Sequence, residues 1–154
     1  MFIQMTETIR IPNISDYTQE VIDGTLILKP KKIIITEEEL KMTSLTKSKI
    51  IECCVTGENN EVVTNAKQYR SILTNIWTMT PAQKILQNTI FNFKLTNEYG
   101  EKGYNWNDRI KMSFQSKDSN GTMKEIIKMC KINNYRLDIS IKLENNKLIH
   151  FKIE

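Results

Sequence analysis

A single histidine, His150, limits the nucleophilic chemistry that this chain could perform. Hydrolases with a serine or cysteine nucleophile need a base to take its proton, and histidine is the usual one. Any Ser-His-Asp or Cys-His site would therefore have to include His150. That residue lies beside Phe151 in a segment where apolar and polar residues alternate, which is typical of a β-strand. The simpler interpretation is an exposed strand histidine, and we predict no catalytic residues.

Metal-dependent cleavage of nucleic acid is a second chemistry that the residue types allow. Asp23 and the run Glu39-Leu40-Lys41 supply carboxylates and a lysine, as in metal-dependent nucleases. That chemistry needs these groups fixed on neighbouring strands around Mg²⁺, whereas Glu39 follows a helix-start signal at Thr36. A nuclease is therefore the most distant of our functional hypotheses, and we expect no metal and no cofactor.

The glycines and cysteines carry no recognisable cofactor motif either. None of the five glycines has the spacing of a phosphate-binding loop. Cys53, Cys54 and Cys130 lack the spacing of a zinc site, and an odd count with an adjacent pair makes a poor disulfide framework. We interpret the cysteines as small buried side chains in a reducing compartment.

Aromatic residues make one predicted loop unusual. Residues 97–108 contain two glycines, two tyrosines and a tryptophan. Tyr99, Tyr104 and Trp106 could anchor a protein partner or stack on nucleic-acid bases. Alternatively, Trp106 closes one end of the hydrophobic core. We predict that the three aromatic residues form a protein-interaction site.

Basic side chains form the second candidate surface. The net charge is +4; residues 101–154 contain 11 basic and 7 acidic residues, whereas residues 1–100 contain 11 of each. Such an excess favours an anionic partner such as DNA or RNA, although a solvated surface is the simpler interpretation. The candidate nucleic-acid-binding residues are Lys94, Lys111, Lys117, Lys124, Lys128, Lys131, Arg136 and Lys142.

Four alternating segments near the C-terminal end are predicted to be strands. Apolar residues occupy every second position of 91–95, 110–114 and 135–143, and less regularly of 149–153. Because successive side chains of a strand point to opposite faces, we expect an antiparallel sheet with one apolar and one polar face. The polar face would carry the basic residues Lys94, Lys111, Lys117, Arg136, Lys142 and Lys152.

A helix at 122–132 is predicted between the two pairs of strands. Its apolar face, which would cover the sheet, consists of Met123, Ile126, Ile127 and Cys130. The opposite face carries Lys124, Lys128 and Lys131. Thr122 is the predicted N-cap, with Glu125 completing a capping box.

The N-terminal portion is predicted to be rich in strands. We expect strands at 25–29, 33–35, 49–55 and 61–64, and helices at 65–79 and after Pro81. Residues 1–23 are expected to be extended or poorly ordered. The 154 residues suffice for one domain with its own core. The predicted fold is a single α+β domain, in which an antiparallel sheet built on a C-terminal ββαββ unit packs against two or three helices.

Membrane insertion and secretion are not expected. No apolar stretch approaches the ~20 residues that span a bilayer, and residues 1–10 lack the pattern of a secretory signal. We therefore predict a cytoplasmic location and no membrane partner.

Three further segments are distinctive: 92–107 (Asn-Phe-Lys-Leu-Thr-Asn-Glu-Tyr-Gly-Glu-Lys-Gly-Tyr-Asn-Trp-Asn), 111–122 and 133–138. Through these segments, roughly residues 60–154 resemble uncharacterised proteins of mimivirus-like giant DNA viruses or their virophages. The chain also contains 23 isoleucines, 18 lysines and 15 asparagines, which fits an AT-rich genome. The resemblance implies a viral origin and a location in the host cytoplasm or virus factory. It implies no catalytic residues.

Two functional hypotheses follow, and both are binding functions. The first is a small viral accessory protein that acts as a protein-interaction or self-assembly module, through the aromatic loop and a strand edge. Its partner would be a second copy, giving a homodimer, or a viral or host protein. The second is a nucleic-acid-binding protein that uses the basic sheet face and the lysine face of the helix.

Overall fold

The computed structural model describes residues 2–4, 17–97 and 102–154. These residues form four helices and three sheets whose strand pairs are mostly antiparallel, so the predicted α+β class is confirmed. The helices are α1 (Glu37–Lys41), α2 (Tyr69–Thr78), α3 (Ala82–Asn88) and α4 (Ser119–Ile132). The strands are β1 (Phe2–Gln4), β2 (Tyr17–Ile22), β3 (Thr25–Pro30), β4 (Lys32–Ile34), β5 (Lys49–Thr56), β6 (Val62–Thr64), β7 (Phe93–Lys94), β8 (Tyr104–Asn107), β9 (Met112–Gln115), β10 (Arg136–Lys142) and β11 (Leu148–Ile153).

The largest sheet has five strands in the order β4-β11-β10-β5-β6. Only β4 and β11 are parallel, and the other neighbours are antiparallel. At the centre, Ile139 of β10 lies opposite Phe151 of β11 and Cys53 of β5. These three side chains are buried, so the strict alternation of β10 produces the expected apolar face.

Helix α4 packs against β10 and α2 and closes the hydrophobic core. Its predicted apolar face is confirmed, because Met123, Ile126, Ile127 and Cys130 are all buried. The predicted lysine face is exposed. From α2, the core receives Ile72, Leu73, Ile76 and Trp77. Cys53 and Cys130 are buried, whereas Cys54 is half-buried; all three are free thiols.

A second sheet has the order β7-β9-β8 and contains an unexpected strand. Strand β8 lies inside the segment 97–108, so the prediction of an uninterrupted loop was wrong. Strand β9 begins only at Met112, because Lys111 has a left-handed backbone (φ 55°) and ends a turn.

The four predicted C-terminal strands are thus divided between two sheets. Both edges of β10 are already paired, one with β5 and one with β11, so β10 cannot also accept β9. The expected single polar face is therefore wrong. Lys94 belongs to the small sheet and Lys111 and Lys117 flank its strand β9, whereas Arg136 and Lys142 belong to the large sheet.

The third sheet, β1-β3-β2, is built from the N-terminal portion. Asp23 and Gly24 connect β2 to β3, and both have positive φ angles (50° and 76°). Two-residue hairpin turns of this kind suit the twist of the flanking strands. Of the segment 1–23, residues 2–4 and 17–22 are extended strands, and the others that precede residue 17 lie outside the described residues.

The starts of two helices test the capping predictions. The side chain of Thr36 accepts a hydrogen bond from the Glu39 amide, and Glu39 accepts one from the Thr36 amide, so the helix start at Thr36 is confirmed. Helix α4 begins three residues earlier than predicted, because Asp118 caps it by accepting from the Gly121 amide. The prediction that Thr122 is the N-cap was therefore wrong, and its hydroxyl donates to the Asp118 carbonyl inside the helix. Among the described residues, no helix is long and apolar enough to cross a membrane.

Candidate functional site

A cleft of about 570 Å³ lies between α2 and β8, beside the N-terminal end of α4. Clefts of this volume are large enough to enclose several side chains of a ligand. Three aromatic side chains, Trp77, Phe91 and Phe114, form its floor together with Leu73. The remaining lining residues are mostly polar: Tyr69, Arg70, Thr74, Asn105, Trp106, Asn107, Asp108, Ser116, Lys117, Ser119 and Thr122.

The aromatic floor is a fixed cluster. Trp77 stacks on Phe114, with ring centroids 4.0 Å apart and an angle of 18° between the planes. Phe91 meets Trp77 edge-on at 5.2 Å. Such aromatic pairs add about 0.5–1.5 kcal/mol beyond the burial of their area. The floor is therefore a pre-formed apolar surface at the base of the cleft.

A buried carboxylate holds the indole of Trp77 in place. Glu125 of α4 is fully buried, and its carboxylate accepts hydrogen bonds from the Trp77 indole (3.3 Å), the Ile90 amide (3.0 Å) and the Thr89 hydroxyl. Burial raises the pKa of Glu125, and these three hydrogen bonds oppose the rise. Glu125 thereby ties α2, α4 and the segment after α3 together directly beneath the cleft.

Strand β8 contributes its free edge to the cleft. Among the described strands it pairs only with β9. The Ser116 amide donates to the Gly103 carbonyl, so residue 103 forms a hydrogen-bonded pair with β9. Such pairs alternate with non-hydrogen-bonded pairs in an antiparallel ladder. The main-chain N–H and C=O groups of Tyr104 and Trp106 therefore point away from β9. Four consecutive residues, 105–108, line the cleft. This is expected if the cleft runs along the edge of the strand, because one face of a strand would contribute only every second residue.

Two cations line the cleft without acidic partners. Arg70 of α2 donates to the hydroxyl of Ser116, which also receives the side-chain amide of Asn105 at 2.9 Å. The Lys117 ammonium lies 5.9 Å from the centre of the Phe91 ring. Among the described residues, no carboxylate forms an ion pair with Arg70 or Lys117.

Asp108 is the one carboxylate among the described residues that line the cleft, and it already has a basic partner. Asp108 accepts from Lys111 at 2.8 Å and from the Trp106 indole at 3.4 Å. These contacts lower the pKa of Asp108, and the hydrogen bond from Lys111 is the larger cause. The lining of the cleft therefore keeps a net positive charge, carried by Arg70 and Lys117.

The predicted aromatic site is only partly present. Tyr99 lies outside the described residues. Tyr104 and Trp106 share one face of β8, where the Lys94 ammonium lies 4.9 Å from the centre of the Tyr104 ring. Trp106 pairs with Ser113, so its side chain and that of Tyr104 point away from Phe114 and the floor. Of these two residues only Trp106 lines the cleft, and the aromatic side chains of the floor come from α2, from residue 91 and from β9.

The predicted nucleic-acid-binding residues do not form one surface. Arg136 and Lys142 are exposed on the face of the large sheet that points away from α4. Lys124, Lys128 and Lys131 are exposed on α4 itself, and therefore on the opposite layer; Lys131 also pairs with Glu37 of α1. Lys94, Lys111 and Lys117 accompany the small sheet, and only Lys117 lines the cleft.

The outer face of the large sheet, defined as the face opposite α4, gathers basic residues that the sequence did not connect. The strand register places Lys32, Lys142 and Lys49 in one row across β4, β10 and β5. Arg136 and Lys152 lie on the same face. Glu52 pairs with Lys32 (3.6 Å) and Asp138 pairs with Lys152 (3.7 Å).

The only histidine lies between a serine and an aspartate on this outer face. Nδ1 of His150 is 2.8 Å from the Ser140 hydroxyl, and its Nε2 is 3.1 Å from Asp138. Ser140 is only 1% exposed, so a substrate has no access to its hydroxyl. Both ring nitrogens are also occupied. The arrangement connects β10 to β11 and lacks the accessible nucleophile that catalysis requires.

No metal site is found among residues 2–4, 17–97 and 102–154, where no group of three histidine, cysteine, aspartate or glutamate side chains could hold an ion. Glu39 is part of the capping box of α1. Asp23 lies in the hairpin turn between β2 and β3. Comparisons of the chain with models of protein families, with curated proteins and with solved structures found no match. The resemblance to giant-virus proteins stays a prediction.

Proposed function

We propose that this protein is a protein-interaction module that binds an extended segment of a partner along β8. The observation that carries the proposal is an edge of β8 that pairs with no other described strand and lies along a pre-formed aromatic cleft. A segment that adds to a sheet edge gains affinity from main-chain hydrogen bonds and specificity from pockets for alternate side chains. The outward-pointing N–H and C=O groups of Tyr104 and Trp106 would form the main-chain hydrogen bonds, and the cleft would receive the side chains.

The dimensions of the cleft suit a short segment. Strand β8 has four residues and so extends over about 13 Å. Helix α2, which forms the other wall, has ten residues and a length of about 15 Å. A bound strand of four or five residues would place every second side chain over the floor. Full burial of one leucine or phenylalanine side chain contributes about 1.5–3 kcal/mol.

The partner in this proposal is a viral or host protein, met in the cytoplasm or virus factory that the sequence resemblance implies. A second copy of the chain is the competing occupant, since two β8 edges could pair with each other. Light scattering at high protein concentration distinguishes these cases. A heterologous partner predicts a monomer, whereas pairing of two copies predicts a dimer whose mass falls when the cleft is blocked.

A blocked cleft provides the direct test of the proposal. Ser116→Trp places a large side chain in the cleft mouth, and Ser44→Trp makes the same change at another exposed serine, away from the cleft. We would select displayed random octapeptides on the wild-type protein and measure the binding of the selected peptides to both variants. Binding should be lost only in Ser116→Trp. Equal binding to all three proteins, or failure to select any peptide, would contradict the proposal.

Nucleic-acid binding is a second candidate, supported by the outer face of the large sheet. On this face, strands β4, β5, β10 and β11 carry five basic residues and two acidic ones. The basic residues are Lys32, Lys49, Arg136, Lys142 and Lys152, and the acidic residues are Glu52 and Asp138. Each phosphate contact releases counterions, so binding of this kind weakens steeply with salt. Fluorescence anisotropy of a labelled mixed-sequence DNA 20-mer should show weaker binding by a Lys49→Glu, Lys142→Glu double variant.

The matched control for that measurement is the Lys124→Glu, Lys128→Glu variant, which reverses the same number of charges on α4. If both variants weaken binding equally, net charge and not the outer face determines it. If the wild-type protein shows no salt-sensitive binding, this second candidate fails.

A further inference from the structure

The cleft also indicates the chemistry of the segment that it binds. We infer that this segment carries a carboxylate adjacent to a large apolar side chain, an inference that rests on the proposed function. The apolar side chain would occupy the aromatic floor, and the carboxylate would lie between Arg70 and Lys117.

The charge requirement follows from the pairing of the lining residues. Arg70 and Lys117 have no carboxylate partner among the described residues, whereas Asp108 is neutralised by Lys111. Within the described part of the cleft, an anionic ligand would therefore meet two cations that lack an acidic partner and no unpaired acid. A neutral or basic ligand would leave both cations uncompensated at a site from which it displaces water.

The orientation of Arg70 makes it a receptor for a planar anion. Its guanidinium donates to the hydroxyl of Ser116, and Asn105 donates to the same hydroxyl from β8. A guanidinium carries five N–H donors, so a single bond to Ser116 leaves enough for a two-point contact with a carboxylate. The bond also lowers the conformational freedom that the side chain would lose on binding.

The positions of the cations require that the two ligand groups be adjacent. The Lys117 ammonium lies 5.9 Å from the centre of Phe91, which belongs to the aromatic floor. Arg70 follows Tyr69 on the same helix as Leu73 and Trp77, which also line the floor. A carboxylate bound at these cations therefore lies within one residue of a side chain on the floor.

We assign this carboxylate to an acidic side chain, because a segment that adds along β8 as a strand continues past the cleft at both ends. Two displayed libraries of random octapeptides test the assignment, one with free C-termini and one with the C-terminus joined to a carrier. Acidic side chains should be enriched in both libraries. Enrichment confined to free C-termini would show that the cleft binds a terminal carboxylate and would overturn the assignment.

The inference is tested by selecting both libraries on three proteins: the wild type, Arg70→Gln with Lys117→Gln, and a control with Lys49→Gln and Lys142→Gln. The wild type and the control should enrich a carboxylate beside phenylalanine, tryptophan or leucine. The cleft variant should still enrich the apolar residue but lose the acidic preference. A synthetic copy of a selected peptide should bind the cleft variant at least tenfold more weakly.

The outcomes separate this inference from the proposal beneath it. Peptides that depend on the cleft, as shown by loss of binding to Ser116→Trp, but carry no carboxylate would overturn the inference and leave the proposed function intact. Peptides with the same acidic preference on the wild type and the cleft variant would also overturn it. Absence of any cleft-dependent peptide would overturn both. If an oligo-dT 12-mer displaces a selected peptide and binds as tightly, the cleft recognises phosphate and the inference fails.

Discussion

The cleft beside β8 and the outer face of the large sheet both expose basic side chains, but the surroundings of those side chains differ. On the outer face, Lys32 and Lys152 pair with Glu52 and Asp138, and Arg136 donates to the side-chain oxygen of Asn60. In the cleft, Arg70 donates to the Ser116 hydroxyl and Lys117 lies near an aromatic ring. The outer face is an open sheet surface, whereas the cleft has an apolar floor between two walls.

This difference shows why a count of charges is a poor guide to a binding surface. Exposed ion pairs such as those of the outer face contribute about 0–1 kcal/mol each, and salt screens them. Arg70 and Lys117 are exposed as well, but a ligand side chain that covers the aromatic floor beside them would also remove water from them, which strengthens their attraction to an anion. The cleft is therefore the better candidate, although it holds fewer basic residues.

We expect the largest loss of stability when Glu125, the carboxylate beneath the cleft, is replaced. Glu125→Ala leaves the Trp77 indole, the Thr89 hydroxyl and the Ile90 amide without their buried acceptor. Each unsatisfied group costs about 1–3 kcal/mol, so we expect the free energy of unfolding to fall by about 3 kcal/mol or more. Urea denaturation measures this loss. A change below about 1 kcal/mol would show that the network does not support the cleft.

The next largest effect is expected on peptide affinity, when one charge is reversed in the cleft or on the outer face. Arg70→Glu should weaken the binding of a selected acidic peptide by more than tenfold, because a repulsive carboxylate replaces the receptor for the anion. Lys142→Glu makes the same reversal on the outer face and should change peptide affinity less than twofold. Isothermal titration calorimetry measures both. Equal losses would mean that the two regions do not differ as described.

The histidine of the outer face should affect stability but not peptide binding. His150→Ala removes the partner of the buried Ser140 hydroxyl and one contact of Asp138. We expect a loss of about 1–2 kcal/mol in the free energy of unfolding and unchanged peptide affinity. Ser140→Ala serves as the matched variant, since it removes the buried hydroxyl together with the bond. A drop in peptide affinity in either variant would connect two regions that we describe as separate.

A smaller effect should appear in the pH dependence of stability. The pKa of Glu125 is raised in the folded protein, mainly by burial, so the folded chain binds its proton more readily than the unfolded chain. As pH falls through the folded pKa toward the ordinary value of 4.5, this residue should therefore add stability; above the folded pKa its contribution is constant.

Denaturation of the wild type and Glu125→Gln between pH 7 and pH 4.5 isolates that contribution. The difference in the free energy of unfolding should shift in favour of the wild type as pH falls. Glu37 provides the opposite case, because the hydrogen bond from Lys131 lowers its pKa, so its stabilisation is lost as pH falls below the ordinary value of 4.5. For Glu37→Gln, followed down to about pH 3, the difference should therefore shift against the wild type as pH falls. Shifts of equal sign for the two residues would contradict both assignments.

Local patterns in the sequence predicted the elements of the core well. Strict alternation in 135–143 identified β10, and the apolar positions of 122–132 identified the buried face of α4. Strand β8 also alternates, with Tyr104 and Trp106 on one face and Asn105 and Asn107 on the other. That signal covers only four residues, and two glycines, Gly100 and Gly103, precede it in the sequence. A composition typical of a loop therefore hid the strand.

The cleft could not be predicted, because it depends on pairings between distant parts of the chain. Arg70 and Ser116 are 46 residues apart in the sequence. The paired strands β5 and β10 are separated by an even longer stretch of chain. No local pattern in β9 or β10 states which sheet each strand joins. The sequence predicted a helix at 65–79, and Trp77 of that helix is buried in the core. The apolar pattern of this helix did not predict that Trp77 also lines the cleft.

Hydrogen exchange at the edge of β8 tests the central claim most directly. Backbone amides of the ¹⁵N-labelled protein would be followed by NMR, with and without a peptide selected on the wild type. If the peptide adds as a strand, the amides of Tyr104 and Trp106 should exchange at least tenfold more slowly, while the exchange of amides 144–147, in the turn between β10 and β11, should not change. Binding that leaves the exchange of both β8 amides unaltered would contradict the addition of a strand at this edge.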